Sequence, residues 1–450
     1  MEVLLVILQV VVLLGAIFLG IRLGGIAIGY AGGLGVILLG LCLGMKPGAI
    51  PWDVILIIMA VIAAISAMQI AGGLDYLVQI AERILRSNPK YINYLAPTVT
   101  YLLTILAGTG HTAFSMIPVI VEVAKEQNIK PSVPLSIAVV SSQIAITASP
   151  VSAAVVYMSG ALEPLGWSYP LLLGIWIPTT FIACMVTAFI LTKFANLDLS
   201  KDPVYQDRLA KGLVKKSVGA QNIEIKKGAK LSVLLFLLGV IFVVLYATAI
   251  SKIGGEPVFI KNVIVGRDAA IMSAMLTIAT LIVIFCKVDV SKIPETSSVF
   301  RSGMVACVCV FGVAWLGNTF VEGHTDSIKD LASSLVKSYP ALLAVAFFFA
   351  STLLYSQAAT AKALTPVVIA ALGISASNPS DSYMLVASFA AVSALFVLPT
   401  YPTLLGAVQM DDTGSTRIGK YIFNHAFFLP GVLAIAFSVA FGFLVVSVVG

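Results

Sequence analysis

Apolar runs follow one another along almost the whole chain, most of them close to the roughly 20 residues that cross a bilayer as a helix and two of them much longer. In the first half they are Val3–Gly20, Gly24–Gly44, Val54–Ala71, Tyr91–Glu126, Leu135–Met158 and Tyr169–Phe194. In the second half they are Leu231–Ala249, Ala269–Cys286, Val299–Phe320, Tyr339–Leu372, Tyr383–Met410 and Phe423–Val449. Between Asp75 and Lys90 the pattern changes. Leu74, Leu77, Ile80, Ile84 and Leu85 share one helical side, with Glu82, Arg83, Arg86 and Lys90 among the rest. This stretch is predicted to be an amphipathic helix lying along the membrane surface.

Two runs in each half are interrupted where a spanning helix is continuous. The run 91–126 is broken by Gly108, Thr109, Gly110, His111 and Thr112, and the run 135–158 by Thr147, Ser149, Pro150 and Ser152. In the second half the run 339–372 turns near Ser356-Gln-Ala-Ala-Thr360, and the run 383–410 breaks at Pro399-Thr-Tyr-Pro402. Backbone freed at such breaks cannot face lipid; it is buried in protein or lines a cavity. A segment of about 30 residues cannot cross twice at a rise of about 1.5 Å per residue, so 91–126 and 339–372 are expected to be re-entrant hairpins. The expected fold is an all-α integral membrane protein. It has two inverted-topology repeats, 1–195 and 231–450, joined by a linker at 196–230, and each repeat holds one re-entrant helical hairpin and one broken transmembrane helix.

Loop charge sets the expected orientation. Lys201, Arg208, Lys211, Lys215, Lys216, Lys226, Lys227 and Lys230 crowd the linker, which is therefore expected to be cytoplasmic. Its mixed charge, its glycines and its lack of apolar period make it a mobile connector by expectation. Counting spans from it puts both termini in the periplasm and makes the two hairpins enter from opposite faces. Lys252, Lys261 and Arg267 run against this count, since they fall in a loop assigned to the outside.

Composition agrees with the pattern. Of 450 residues, 59% are hydrophobic and 11% charged, with a mean hydropathy of +1.04. A soluble domain carries about 25% charged residues. The net charge of +6 reflects basic loops rather than nucleic-acid binding. The five cysteines lie in or beside apolar runs without metal spacing, so neither a disulfide framework nor a metal site is expected. The first run lacks a basic leader region and a cleavage site, and is read as a retained span.

The interruptions carry the candidate chemistry. Thr109, Gly110, His111 and Thr112 either bind an anion at the start of the outgoing half-helix or simply build a tight turn. His111 either couples protons or hydrogen-bonds. Thr147, Ser149, Pro150 and Ser152 either face a substrate or re-satisfy carbonyls freed by the proline. At the second turn stand Gln357, Thr360 and Lys362, where Lys362 is either a counter-charge for a carboxylate or a side chain reaching to the interface. Pro399, Thr400, Tyr401 and Thr403 form the second break, with a phenol and hydroxyls that either bind substrate or cap helix ends. Glu322, His324 and Asp326 read as a solvated loop.

Several stretches resemble one family closely. Gly72-Gly-Leu-Asp75, Arg86-Ser-Asn-Pro-Lys90-Tyr91, Ala107-Gly-Thr-Gly-His111, Pro118-Val-Ile-Val-Glu-Val-Ala124 and Ala148-Ser-Pro-Val-Ser-Ala-Ala-Val-Val-Tyr157 resemble the anaerobic C4-dicarboxylate transporter (Dcu) family of bacteria. The resemblance covers the whole chain and is most specific between Arg22 and Met158. It implies an inner-membrane carrier that exchanges fumarate, malate, aspartate and succinate without ATP or a cofactor. Both the aspartate-handling and the fumarate–succinate branches share motifs with this chain.

The residues agree with such a carrier. A dicarboxylate needs two donor clusters a short carbon chain apart, which two broken-helix regions would supply. No G-x-x-x-x-G-K-[ST] stretch signals ATP coupling. A proton- or sodium-coupled symporter of another organic anion is the alternative. A channel would show uncoupled flux. An intramembrane enzyme needs a nucleophile with its base, or paired carboxylates, at membrane depth, and none is evident. Gly20, Gly24, Gly25, Gly29, Gly32, Gly33 and Gly35 allow close helix contact, and a homodimer through these first spans is one assembly they permit.

Overall fold

The computed structural model describes residues 2–23, 26–50, 52–214, 225–249, 267–324, 339–399, 401–421 and 423–449. These residues fold as helices, with only isolated bridges such as Ile129 with Asp198 in place of sheet. The first half contains α1 (Glu2–Leu23), α2 (Ala27–Ile37), α3 (Trp52–Ile70), α4 (Gly73–Ser87), α5 (Ile92–Ala107), α6 (Ala113–Glu126), α7 (Ser132–Ile144), α8 (Ala153–Leu162) and α9 (Tyr169–Phe194). After α10 (Pro203–Ala210) come α11 (Ala229–Ala249), α12 (Arg267–Phe285), α13 (Lys292–Thr296), α14 (Ser298–Gly323), α15 (Leu342–Leu354) and α16 (Gln357–Leu372). The chain ends with α17 (Tyr383–Ser388), α18 (Pro402–Met410) and α19 (Phe428–Val449).

Apolar helices settle in two environments. The stretch from Ser132 to Leu165 is long and apolar enough to cross a membrane, yet its most apolar part is buried inside the protein. By contrast, α11 leaves Leu234, Leu238, Ile241, Phe242 and Leu245 exposed, the surface that lipid covers in a multi-pass membrane protein. The broken stretch between α7 and α8 thus lies inside the protein, as unsatisfied backbone in hydrocarbon demands.

Packing repeats between the halves. Helix α5 lies along α7, and α15 lies along the 3-10 segment Phe389–Phe396 that continues α17. Across the halves, α6 meets α18 while α16 meets α8. Similarly α2 packs on α14 and α3 on α12, and α9 runs against α19.

The α2–α14 contact uses the glycines noted in the sequence. A Cβ on Gly312 would lie 1.8 Å from the Gly29 carbonyl oxygen, and one on Gly32 would lie 2.3 Å from the Gly312 carbonyl carbon. Gly35 packs against Ala16 and Leu316, and Gly20 against Ile28. These residues are therefore occupied within one chain, as small residues at membrane helix contacts are. Gly33 faces open space, and Gly24 and Gly25 lie outside the described residues.

The amphipathic stretch is helical over Gly73–Ser87 and bends by 76° from α3, at Gly72 with its left-handed φ of +88°. Arg86 anchors this helix to α6 by ion pairs with Glu122 at 3.0 Å and Glu126 at 2.9 Å.

In its described part, 196–214 and 225–230, the linker is held by specific contacts. Asp202 caps α10 by accepting from the Val204 and Tyr205 amides, and it pairs with Lys130 at 2.8 Å. Arg208 Nε donates to the Asp412 carbonyl at 2.8 Å, and Lys226 Nζ to the Ile70 carbonyl at 2.9 Å. Capping and ion pairs order a polar stretch that has no apolar period to announce it. Residues 215–224 of the linker lie outside the described residues.

Candidate functional site

Four irregular segments carry the candidate site residues. The first is the turn between α5 and α6. Gly108 ends α5 in the left-handed region at φ +68°, donating its N–H to the Thr104 carbonyl at 2.8 Å. A 3-10 turn over Gly110–Thr112 follows, which holds the backbone of His111. Thr112 Oγ1 lies 3.2 Å from Thr104 Oγ1 and donates to the Thr109 carbonyl at 3.2 Å.

The second is the break between α7 and α8. Thr147 Oγ1 donates to the Ile144 carbonyl at 2.7 Å, Ser149 Oγ to Ile105 at 2.6 Å and Ser152 Oγ to Ile146 at 2.6 Å. Ser152 also caps α8, accepting from the Val155 amide at 3.2 Å. The Pro150 carbonyl accepts from the Tyr169 hydroxyl at 2.5 Å. In this structure the hydroxyls of this break satisfy freed backbone, the second of the two roles read from the sequence.

The third is the turn between α15 and α16. Tyr355 ends α15 at φ +59°, donating its N–H to the Ser351 carbonyl at 3.0 Å. Ser356 Oγ accepts from the Ala359 amide at 3.2 Å, and Thr360 Oγ1 donates to the Ser356 carbonyl at 2.7 Å. Lys362 lies further along α16 and is half-buried. The fourth segment is the break before α18, where Pro399 and Tyr401 are half-buried and Thr403 is buried. Thr400 lies outside the described residues.

These segments meet around one cavity of about 90 Å³. Gly108 and Thr109 come from the first turn, and Val151, Ala153 and Ala154 from the first break. Tyr355, Ser356, Gln357 and Ala358 come from the second turn, with Tyr401 from the second break. Ile57, Ile58, Val61 and Ile62 of α3 and Val310 of α14 close the far side. Among the described residues no charged side chain lines it. Instead, the first turns of α8 and α16 border it, and so does the residue that precedes α18. Helix N-termini carry N–H donors and the positive end of the helix dipole, and the C-terminal ends of α5 and α15, at Gly108 and Tyr355, border the same cavity.

Of the candidate residues, Thr109, Gln357 and Tyr401 reach the cavity wall. Gly110, Thr112, Thr147, Ser149, Pro150, Ser152, Thr360 and Thr403 stand behind it in the turns and helix starts that shape it. Lys362 and Pro399 are not on the wall. The sequence reading missed Gln143. It is fully buried, donates through Nε2 to Thr403 Oγ1 at 3.3 Å, and accepts at its backbone carbonyl from Gln357 Nε2 at 3.2 Å. A Cβ on Gly110 would meet Gln143 Nε2 at 2.5 Å, so a side chain there would displace the Gln143 carboxamide. The available signal was a carboxamide inside an apolar run, where polar groups rarely stand idle. Tyr355 and the α3 wall were missed as well, having no polarity that marks them in an apolar sequence.

A family model described as anaerobic C4-dicarboxylate membrane transporter matches residues 5–450. The C4-dicarboxylate transporter DcuA of Wolinella succinogenes is 67% identical over 440 residues, covering 98% of this chain and 99% of the relative. DcuA of Escherichia coli K12 is 58% identical over 439 residues and covers 98% of each chain. The anaerobic C4-dicarboxylate transporter DcuB of Escherichia coli O6:H1 is 36% identical over 456 residues, again covering 98% of each. Among solved structures, the Alcanivorax borkumensis YdaH transporter shares the fold at a TM-score of 0.52 and 14% identity, over 92% of this chain and 87% of that one. The relatives are transporters rather than enzymes, and the helices are those of a multi-pass membrane protein. The chain belongs to the anaerobic C4-dicarboxylate membrane transporter family.

Proposed function

We propose that this protein exchanges C4-dicarboxylates (fumarate, malate, aspartate and succinate) across the bacterial inner membrane, holding each in the cavity between the two turns and the two breaks. The observation that carries the reading is the convergence of both turns and both breaks, one of each from either half, on one cavity without charged side chains. A dianion brought out of water needs compensation that no single exposed lysine supplies. Dipole ends and N–H donors supply it without a fixed cation that would hold the substrate too firmly for turnover.

The same reading makes the α5–α6 and α15–α16 pairs re-entrant hairpins of two inverted repeats, with both termini in the periplasm. Support comes from the exchanged packing of α6 on α18 and α16 on α8, and from the cationic linker.

Counterflow in proteoliposomes tests the function. Vesicles preloaded with succinate are expected to take up labelled fumarate at least ten-fold faster than empty vesicles. Equal uptake by empty vesicles, driven by a proton or sodium gradient, would replace exchange with symport. Flux that fails to saturate would replace a carrier with a channel.

A further inference from the structure

The orientation of one buried amide bears on which dicarboxylates the cavity prefers. Gln357 is on the cavity wall, and its carboxamide lies 3.2 Å from the backbone carbonyl oxygen of Gln143. A backbone carbonyl only accepts, so the nearer amide atom of Gln357 must be its nitrogen. The same nitrogen lies 3.5 Å from Gln143 Oε1. Gln143 is fixed in turn, because its own nitrogen donates to Thr403 Oγ1 at 3.3 Å. The Gln357 amide nitrogen therefore faces Gln143. Among the described residues nothing donates to the Gln357 carbonyl oxygen, and it does not belong to the buried polar atoms that lack a partner.

We infer that Gln143 holds Gln357 so that it offers the cavity an acceptor, and that this pair makes the site prefer C4-dicarboxylates with a hydrogen-bond donor on the carbon chain. The inference rests on the cavity being the dicarboxylate site. Carboxylate groups have no proton to give at neutral pH, so a bare acceptor beside an unsubstituted dicarboxylate stays unpaired. A 2-hydroxy or 2-amino group donates to it. Leaving a buried polar group unpaired is what lets a site reject an analogue that lacks the matching group. Gln357 thus touches substrate, while Gln143 is a positioning residue that acts through it.

The test is equilibrium binding to the purified full chain, with aspartate and malate as donor-bearing probes and succinate as the unsubstituted one. The readout is the ratio of their dissociation constants. Gln357→Met removes the acceptor and keeps the chain length. Gln143→Met frees the Gln357 amide to rotate. In both variants the preference for the donor-bearing probes is expected to fall about ten-fold relative to the parent, since one hydrogen bond, charge-assisted for the ammonium, is lost. A purely structural role for Gln143 would weaken all three ligands in parallel and leave the ratio alone, which would overturn the inference. Equal affinity of the parent for both classes would overturn it too. If Gln143→Met does not fold, Gln357→Met decides alone. A parent that binds none of the probes refutes the site itself, a different failure from a retained ratio.

Discussion

Gly108 and Tyr355 occupy matching corners of the two halves: each ends the first helix of a helical hairpin in the left-handed region, at φ +68° and +59°, and each lines the same cavity. Each amide donates to a carbonyl four residues back, on Thr104 and Ser351. A bulky residue in this region is an outlier, and such outliers collect at functional sites. At position 108 a Cβ would also stand 3.0 Å from Val151 Cγ2 and 3.1 Å from the Val151 carbonyl. Gly108→Ala is expected to lose roughly 1–2 kcal/mol of stability from backbone conformation alone and to weaken dicarboxylate binding. Thermal melting with and without succinate checks it. A variant that melts and responds to ligand like the parent would remove the case for a strained turn.

The proposed opposite entry of the hairpins is open to side-specific labelling. Gln127 follows α6 and Ser377 follows α16, at the open ends of the two hairpins. In a background with Cys42, Cys184, Cys286, Cys307 and Cys309 replaced, a cysteine at 127 is expected to label from the cytoplasm and one at 377 from the periplasm. Labelling of both from one side is incompatible with inverted repeats.

Close approach of α2 and α14 leaves no room for a side chain at Gly312. Gly312→Ala is expected to force the helices apart and lower the melting temperature in detergent. Gly33→Ala, on the open side of α2, is expected to be neutral or to stabilise by about 0.5–1 kcal/mol, the usual gain of alanine over glycine in a helix. Similar melting of the two variants would contradict the packing described.

The Lys130–Asp202 clasp ties the linker to the segment before α7. Burial alone would raise the Asp202 pKa, but Lys130 and the Tyr205 and Val204 amides outweigh it and hold it below the ordinary carboxylate value. A lowered folded pKa means that the stabilisation is complete above the unfolded value, about 3.9, and is lost as pH falls through the folded one. Lys130→Met leaves a buried carboxylate with only its backbone donors. It is expected to cost about 3 kcal/mol and to blunt the loss of stability between pH 6 and the acid range. Unfolding followed by intrinsic fluorescence at several pH values measures both. A variant with the parent's acid profile would show that the clasp does not carry it.

The sequence made the membrane class, the amphipathic helix and all four interruptions legible, because each leaves a local mark: apolar length, helical period, or glycine and proline inside an apolar run. It did not reveal which interrupting residues face a ligand. Ser149 and Thr109 look alike in sequence, but only the fold shows that the Ser149 hydroxyl is engaged by Ile105 while Thr109 lines the cavity. Gln143 was hidden for a similar reason. Its partners, Thr403 and Gln357, lie more than 200 residues away. The contacts that hold the described part of the linker were hidden too, since a cap and an ion pair leave no periodic pattern.

The central claim is that C4-dicarboxylates bind in the cavity bordered by both turns and both breaks. Filling that cavity from opposite walls tests it most directly. Val61→Phe adds bulk from α3 and Ala358→Leu from the start of α16. Binding of labelled fumarate and succinate to the purified variants is the measurement, with a melting curve to establish that each is folded. Both variants are expected to lose at least ten-fold in affinity while melting within a few degrees of the parent. Folded variants that bind both ligands with the parent's affinity would place the substrate elsewhere and contradict the account.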